Sequence, residues 1–259
     1  MRKYFWLTCL MLISILVFLP MAQANSIDGP KTQGLGKYSF GLVGEYIFEK
    51  DLKYDNGLNL ASGEEVDCAK IKNFYRVMAK YNFGFWENLD MYAKLGVANF
   101  KADYEVNNNL GNEIRNYTMD GKANFTFTVG AKGTYEFVKT WLLGADAQFG
   151  RYSTKNDTTI KNLTTGVETT TLQKPTFLQW HFACYLAKEF KNLTPYAGAR
   201  YSDLKMTVKS ETVCYKMNAK NKVGVFVGLG YEIGDHWRLN LEGGFIDETA
   251  ISFSGAYRF

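Results

Sequence analysis

From residue 38 onward, apolar and polar side chains alternate with a period of two, in about ten runs separated by turn-forming stretches. In 122–137, Phe125, Phe127, Val129, Ala131 and Tyr135 take one face, while Asn124, Thr126, Thr128, Lys132 and Glu136 take the other. In 223–233, Val223, Val225, Val227, Leu229 and Tyr231 oppose Gly224, Phe226, Gly228, Gly230 and Glu232. Successive strand side chains point to opposite faces, so each run predicts a β-strand with one apolar and one polar side. The remaining strands are expected over 38–48, 71–83, 89–104, 141–152, 176–188, 194–207, 237–245 and 250–259.

The connections sort by length. Short ones fall at 84–88, 138–140, 191–193 and 234–236, and long ones at 50–70, 105–121, 153–175 and 208–222. A fifth connection on the long side, 246–249, is short. Short and long alternate, as they do when strands run up and down through a membrane between tight turns on one side and surface loops on the other. A β-sandwich has no reason to sort its loops this way. Aromatic residues also crowd the short turns: Tyr81, Phe83, Phe85 and Trp86 at the first, Tyr135, Phe137 and Trp141 at the second, Phe190 and Tyr196 at the third, Tyr231 and Trp237 at the fourth. Tyr and Trp favour the membrane–water boundary, where a ring and a polar tip are both satisfied.

Composition agrees. Aromatics make up 16% of the chain, and no segment after residue 24 has the ~20 continuous apolar residues that a transmembrane helix needs. Arg2 and Lys3, an apolar stretch to Leu19, Pro20 and then Ala22-Gln23-Ala24 follow the order of a secretory signal peptide. Removing residues 1–24 takes two positive charges and lowers the net charge from +4 to +2, which gives nucleic acid no purchase. Residues 25–37, polar and Gly-containing, read as a flexible lead, and 38–259 as a single barrel domain.

Parity assigns the polar face to the lumen: Glu45, Lys72, Arg76, Lys80, Lys94, Lys132, Glu136, Asp146, Arg200, Glu232, Arg238, Glu242 and Arg258, joined by Gln148 and His181. A ten-stranded barrel is close to the size that side chains fill, so opposite charges there are expected to pair, with a narrow polar pore as the alternative. Lys72, Arg76 and Lys80 would form a positive stripe along one strand. Cys184 shares the parity of the apolar face; Cys68 and Cys214 fall in expected loops and are the one candidate disulfide. Chemistry is sparse. The two histidines, His181 and His236, sit at different levels; no metal-ligand spacing, nucleophile elbow or phosphate loop is present, and no cofactor is implied.

The closing run Ile251-Ser252-Phe253-Ser254-Gly255-Ala256-Tyr257-Arg258-Phe259 alternates to a terminal aromatic. With the export signal and the sorted loops, it makes the chain resemble the small bacterial outer-membrane β-barrels of the OmpA-like and opacity-type group. The resemblance implies an all-β, antiparallel, up-and-down transmembrane barrel in the outer membrane of a diderm bacterium. It further implies that Phe253, Tyr257 and Phe259 act as the signal read by the membrane-insertion machinery. Lipid is the expected surrounding partner, and the long loops, acidic at 51–67 and basic at 208–222, are candidate contacts for an extracellular, host or phage ligand. Three functions fit this frame: a structural or surface-interaction barrel with a largely ion-paired lumen, a small diffusion pore for polar solutes, and, less well supported by the residues, a barrel enzyme.

Overall fold

The computed structural model describes residues 26–55, 64–108, 113–209 and 214–259; the signal segment 1–24 lies outside them. Thirteen antiparallel strands occur among the described residues. They are β1 (Tyr38–Tyr54), β2 (Glu64–Trp86), β3 (Leu89–Asn108), β4 (Glu113–Gly121), β5 (Asn124–Val138), β6 (Trp141–Ser153) and β7 (Asn156–Asn162). Then come β8 (Glu168–Lys188), β9 (Leu193–Lys209), β10 (Cys214–Ala219), β11 (Val223–Ile233), β12 (Trp237–Phe245) and β13 (Thr249–Arg258).

Ten of these, β1-β2-β3-β5-β6-β8-β9-β11-β12-β13, form a closed ring. It seals where Ser39 pairs with Arg258, Tyr38 stacks on Phe259 at 5.0 Å between ring centres, and the Phe259 amide donates to the Tyr38 carbonyl. These are the ten strands that the alternation predicts. The other three lie inside the expected long loops. β4 pairs with β3 and β7, β7 with β8, and β10 with β9 and β1. A second circuit therefore stands on the long-loop end of the first: β1-β2-β3-β4-β7-β8-β9-β10. A hairpin tip at Thr164-Thr165-Gly166 joins β7 to β8, with Gly166 at φ 73° supplying the left-handed turn residue.

The two tiers have opposite insides. In the lower ring the outward wall is apolar (Leu42, Val77, Leu95, Phe125, Phe182, Phe253) and the inward face polar. An exposed belt of this extent is the mark of a lipid-facing surface. In the upper circuit the inward face is an apolar core, including Phe74, Phe100, Tyr104, Tyr152, Phe177, Met206 and Met217. The outward face there carries Lys70, Lys72, Lys101, Asp103 and Asp120.

Two expectations fall to strand geometry. Lys72 is on the outer surface, paired with Asp103 at 3.1 Å, because β2 carries a bulge between Lys72 and Tyr75 with Asn73 at φ 50°; the extra residue reverses the parity above it. The positive stripe is therefore Arg76 and Lys80 only. The proposed Cys68–Cys214 bridge does not form. β1 lies between β2 and β10, so the two backbones are two strand spacings apart, roughly 10 Å. A disulfide needs Cα atoms within about 7 Å. Cys214 is a free thiol, and the Cys68 side chain lies outside the described residues. Cys184 faces outward as expected.

Candidate functional site: the filled lumen

The described part of the lead, Ser26–Lys37, is folded into the lower ring and is not a free tail. Ser26, Ile27 and Asp28 are buried. Lys80 and Lys94 reach Asp28 at 2.9 and 2.7 Å, and Lys94 also lies 3.6 Å from Glu45, which binds Arg76. Backbone carbonyls of the segment are taken one by one. Lys94 and Gln148 donate to that of Ser26, Lys132 to Gly29 at 2.6 Å, the Tyr185 hydroxyl to Pro30, and Arg238 to Lys31. In return, the Ile27 amide donates to Glu242, which also accepts from the Tyr196 hydroxyl, and the Gln33 amide donates to Asp90. Lys31 bridges Glu189 and Glu232 at the short-turn rim. Gly29 has φ 89°, and a Cβ there would lie 2.0 Å from the Asn240 side chain, so only glycine fits this bend of the plug.

A second cluster surrounds Asp146, which accepts from Tyr92 at 2.9 Å and Gln148 at 2.9 Å and lies 3.2 Å from His181. Its four members are buried. Above the plug, Arg200 meets Asp247 at 2.8 Å and Glu248 at 3.0 Å, and Lys50 meets Glu248 at 2.6 Å. This ion layer closes the polar half beneath the apolar core.

Parity therefore places correctly Glu45, Arg76, Lys80, Lys94, Lys132, Asp146, Arg200, Arg238 and Glu242, all buried inside. Glu232 and Arg258 meet at 3.4 Å at the rim, half-exposed. Glu136 is not in the lumen. It is exposed near the end of β5 and accepts from the Thr140 amide at 2.9 Å, because β5 at that level pairs only with β6, its pairing with β3 having ended at Gly133. Sequence reasoning missed Asp90, although it shares the inward parity of Lys94. It also missed Lys50, which lies beyond a bulge in β1, and Asp247 and Glu248, which fold inward from a connection.

Interior voids beside Lys80 and Lys132, and beside Phe74 and Tyr152, measure about 20 and 10 Å³, space for about one water each. The large depressions, about 990 and 710 Å³, lie on the outer wall among residues such as Leu239, Leu241 and Phe253, or Phe83, Val129 and Phe182. Those two hollows open on the lipid side, and their lining is mainly apolar. Phe253, Tyr257 and Phe259 sit on β13 and its end at the short-turn edge, with Tyr257 in contact with Trp237 and Phe259.

This architecture has a likeness among solved structures. The outer-membrane protease OmpT of Escherichia coli superposes with a TM-score of 0.52 at 11% identity, over 86% of this chain and 94% of that one. The toluene transporter TbuX of Ralstonia pickettii gives 0.43 at 9% identity (92% and 96% covered), and OprG of Pseudomonas aeruginosa gives 0.40 at 9% (89% and 99% covered). At 11% identity the likeness to OmpT is one of fold alone. No curated protein sequence matches the chain. The family model for the outer membrane protein beta-barrel domain matches residues 109–259, more than half of the chain. The chain belongs to the outer membrane protein beta-barrel domain family, and is an integral β-barrel of the bacterial outer membrane.

Proposed function

We propose that this protein is a sealed outer-membrane barrel that serves as a structural or surface-interaction element, without enzymatic activity. The observation that carries the reading is the double closure of the bore: the Ser26–Lys37 plug in the polar half and the apolar core in the upper circuit. Polar solutes would have to displace a segment held by Asp28, Lys94 and Lys132, and then cross a layer of aromatic side chains. Asp146 paired with His181 has the composition of a general base, but both side chains are buried against Tyr92 and Gln148, and the hollow that His181 and Gln148 help to line opens on the apolar outer wall among Phe83, Val129 and Phe182. The upper circuit, which stands clear of the lipid belt, is the part available to an extracellular partner. Phe253, Tyr257 and Phe259 are offered to the insertion machinery from the free edge of β13 before it pairs with β1.

Single-channel recording of the mature protein in planar bilayers tests the reading. A sealed barrel gives no stable stepwise current. Reproducible steps that shrink when Lys80 or Arg76 is neutralised would establish the diffusion-pore alternative instead.

A further inference from the structure

The outer wall of the upper circuit is electrically uneven. On the β2-β3-β4-β7 side its lysines are matched: Lys72 with Asp103 at 3.1 Å, Lys101 with Asp120 at 3.4 Å, Lys122 with Asp157 at 3.0 Å. On the β6-β8-β9-β10 side they are not. Arg151, Lys174, Lys205, Lys209 and Lys216 are exposed there, and none has a carboxylate within ion-pair distance among the described residues. Among the described residues, Asp203 on this wall is held by Lys222 at 3.2 Å, and Asp55, beside Lys216 at the end of β1, accepts from the Asn218 side chain at 3.2 Å.

Register fixes how these cations sit. Arg151, Leu178 and Lys205 share one row across β6, β8 and β9. Ser153, Thr176, Thr207 and Lys216 share the next row, with the Ser153 and Thr176 hydroxyls 3.1 Å apart. Lys174 and Lys209 are directly opposed in the row beyond. Rows two residues apart are ~7 Å apart, and alternate strands are ~10 Å apart. A row of hydroxyl donors thus lies between two pairs of cations. Opposed like charges destabilise a strand pair, so the Lys174–Lys209 pairing calls for an anion between them. Immediately below lie Trp180, Phe182 and Tyr201, exposed on the lipid belt. The patch therefore occupies the level at which lipid headgroups meet the barrel.

We propose that this face binds the phosphate groups of an anionic lipid in the outer leaflet, with Arg151, Lys174, Lys205 and Lys209 as charge partners and the Ser153-Thr176-Thr207 row as hydrogen-bond donors. The wall below takes the acyl chains of the same molecule, which is why a lipid fits here better than a soluble anion.

Trp180 lies on this face, whereas Trp86, Trp141 and Trp237 are at the short-turn end, so Trp180 is a built-in reporter. The mature protein, carrying Phe at the other three tryptophans, is reconstituted in vesicles containing brominated phosphatidylglycerol or brominated phosphatidylcholine, and Trp180 quenching gives the relative occupancy of each lipid. The expected result is a preference for phosphatidylglycerol on the order of fivefold or more, the effect of one interfacial cation. It should disappear in Arg151→Gln/Lys174→Gln/Lys205→Gln/Lys209→Gln, and persist in Lys72→Gln/Lys101→Gln/Lys122→Gln on the opposite wall. No preference, or equal loss in both variants, overturns the proposal. Loss of the preference on adding millimolar inorganic phosphate overturns the lipid assignment in favour of a free-anion site. Should the quadruple variant not fold, Lys209→Gln alone decides by sign. It should stabilise the barrel in phosphatidylcholine, by relieving repulsion, and destabilise it in phosphatidylglycerol; the same sign in both lipids contradicts the proposal.

Discussion

The two halves of β3 carry opposite designs on one continuous strand. Near the short turn, Met91, Leu95 and Val97 face out while Asp90 and Lys94 are buried inside. A few residues on, Lys101, Asp103 and Glu105 face out and Phe100, Ala102, Tyr104 and Val106 are buried. The backbone and its parity do not change; the solvent does. In lipid, apolar groups belong on the outer wall, and polar groups must find partners inside. In water the ordinary rule returns and the apolar groups go inward. The level at which the pattern reverses marks the membrane surface, and it decides what can fill each half: ion pairs and a polar plug below, an aromatic core above.

The largest way to break this contrast is to remove a charge from the lower half. Asp28→Asn would leave Lys80 without its carboxylate and Lys94 with only the longer contact to Glu45, and is expected to cost about 3–5 kcal/mol. Urea unfolding in detergent or bilayers, followed by heat-modified gel migration, reads this loss. In the upper half the same order of loss, about 3–5 kcal/mol, should come from an apolar deletion, Phe100→Ala. Phe100 is fully buried against Phe177 at 4.7 Å and Tyr152 at 6.0 Å. Next in size is a paired test on one face of one strand. Leu95→Lys should cost about 2–4 kcal/mol in a bilayer. Glu105→Lys, above the reversal, should change stability by less than about 0.5 kcal/mol. Equal penalties would mean that the two positions meet the same solvent.

The smallest effect concerns Lys222, in the turn before β11. The hydrogen bond it donates to Asp203 raises its pKa above the usual lysine value. A raised base contributes stability that is complete below the unfolded value, near 10.4, and is lost as pH rises through the folded value. Lys222→Met should therefore be less stable than the parent by about 0.2–0.5 kcal/mol at pH 8, a figure kept low because the pair is exposed to water. The difference should vanish at strongly alkaline pH, where both chains lack the charge; urea midpoints across the pH range check it.

Much of the lower ring was legible because lipid imposes a strong alternation: ten strands and nine buried lumen charges follow from parity alone. The failures have physical causes. β7, Asn-Asp-Thr-Thr-Ile-Lys-Asn, is polar on both faces but for Ile160, so it carries no periodic signal. β4 and β10 present only a few inward apolar residues each, such as Tyr117, Met119 and Met217. The bulge at Asn73 shifts parity without any glycine or proline to announce it. The plug was misread because a polar, glycine-containing segment looks unfoldable by the standards of an apolar core; a polar lumen reverses those standards and recruits the segment through its backbone carbonyls. The nine lumen charges could be placed on a face, but their pairing, and the service of Asp28 to two lysines at once, depends on a chain segment more than 50 residues away in sequence.

The reversal is tested most directly by water accessibility at two nearby positions of β3 on opposite faces. With Cys68, Cys184 and Cys214 replaced by Ser, single cysteines at Ala102→Cys and Glu105→Cys are exposed to a membrane-impermeant thiol reagent in intact vesicles. The account predicts rapid labelling of Glu105→Cys and labelling of Ala102→Cys slower by orders of magnitude, limited by local opening of the upper core. Equal rates at the two positions would show a water-filled upper barrel and contradict the sealed, inverted design.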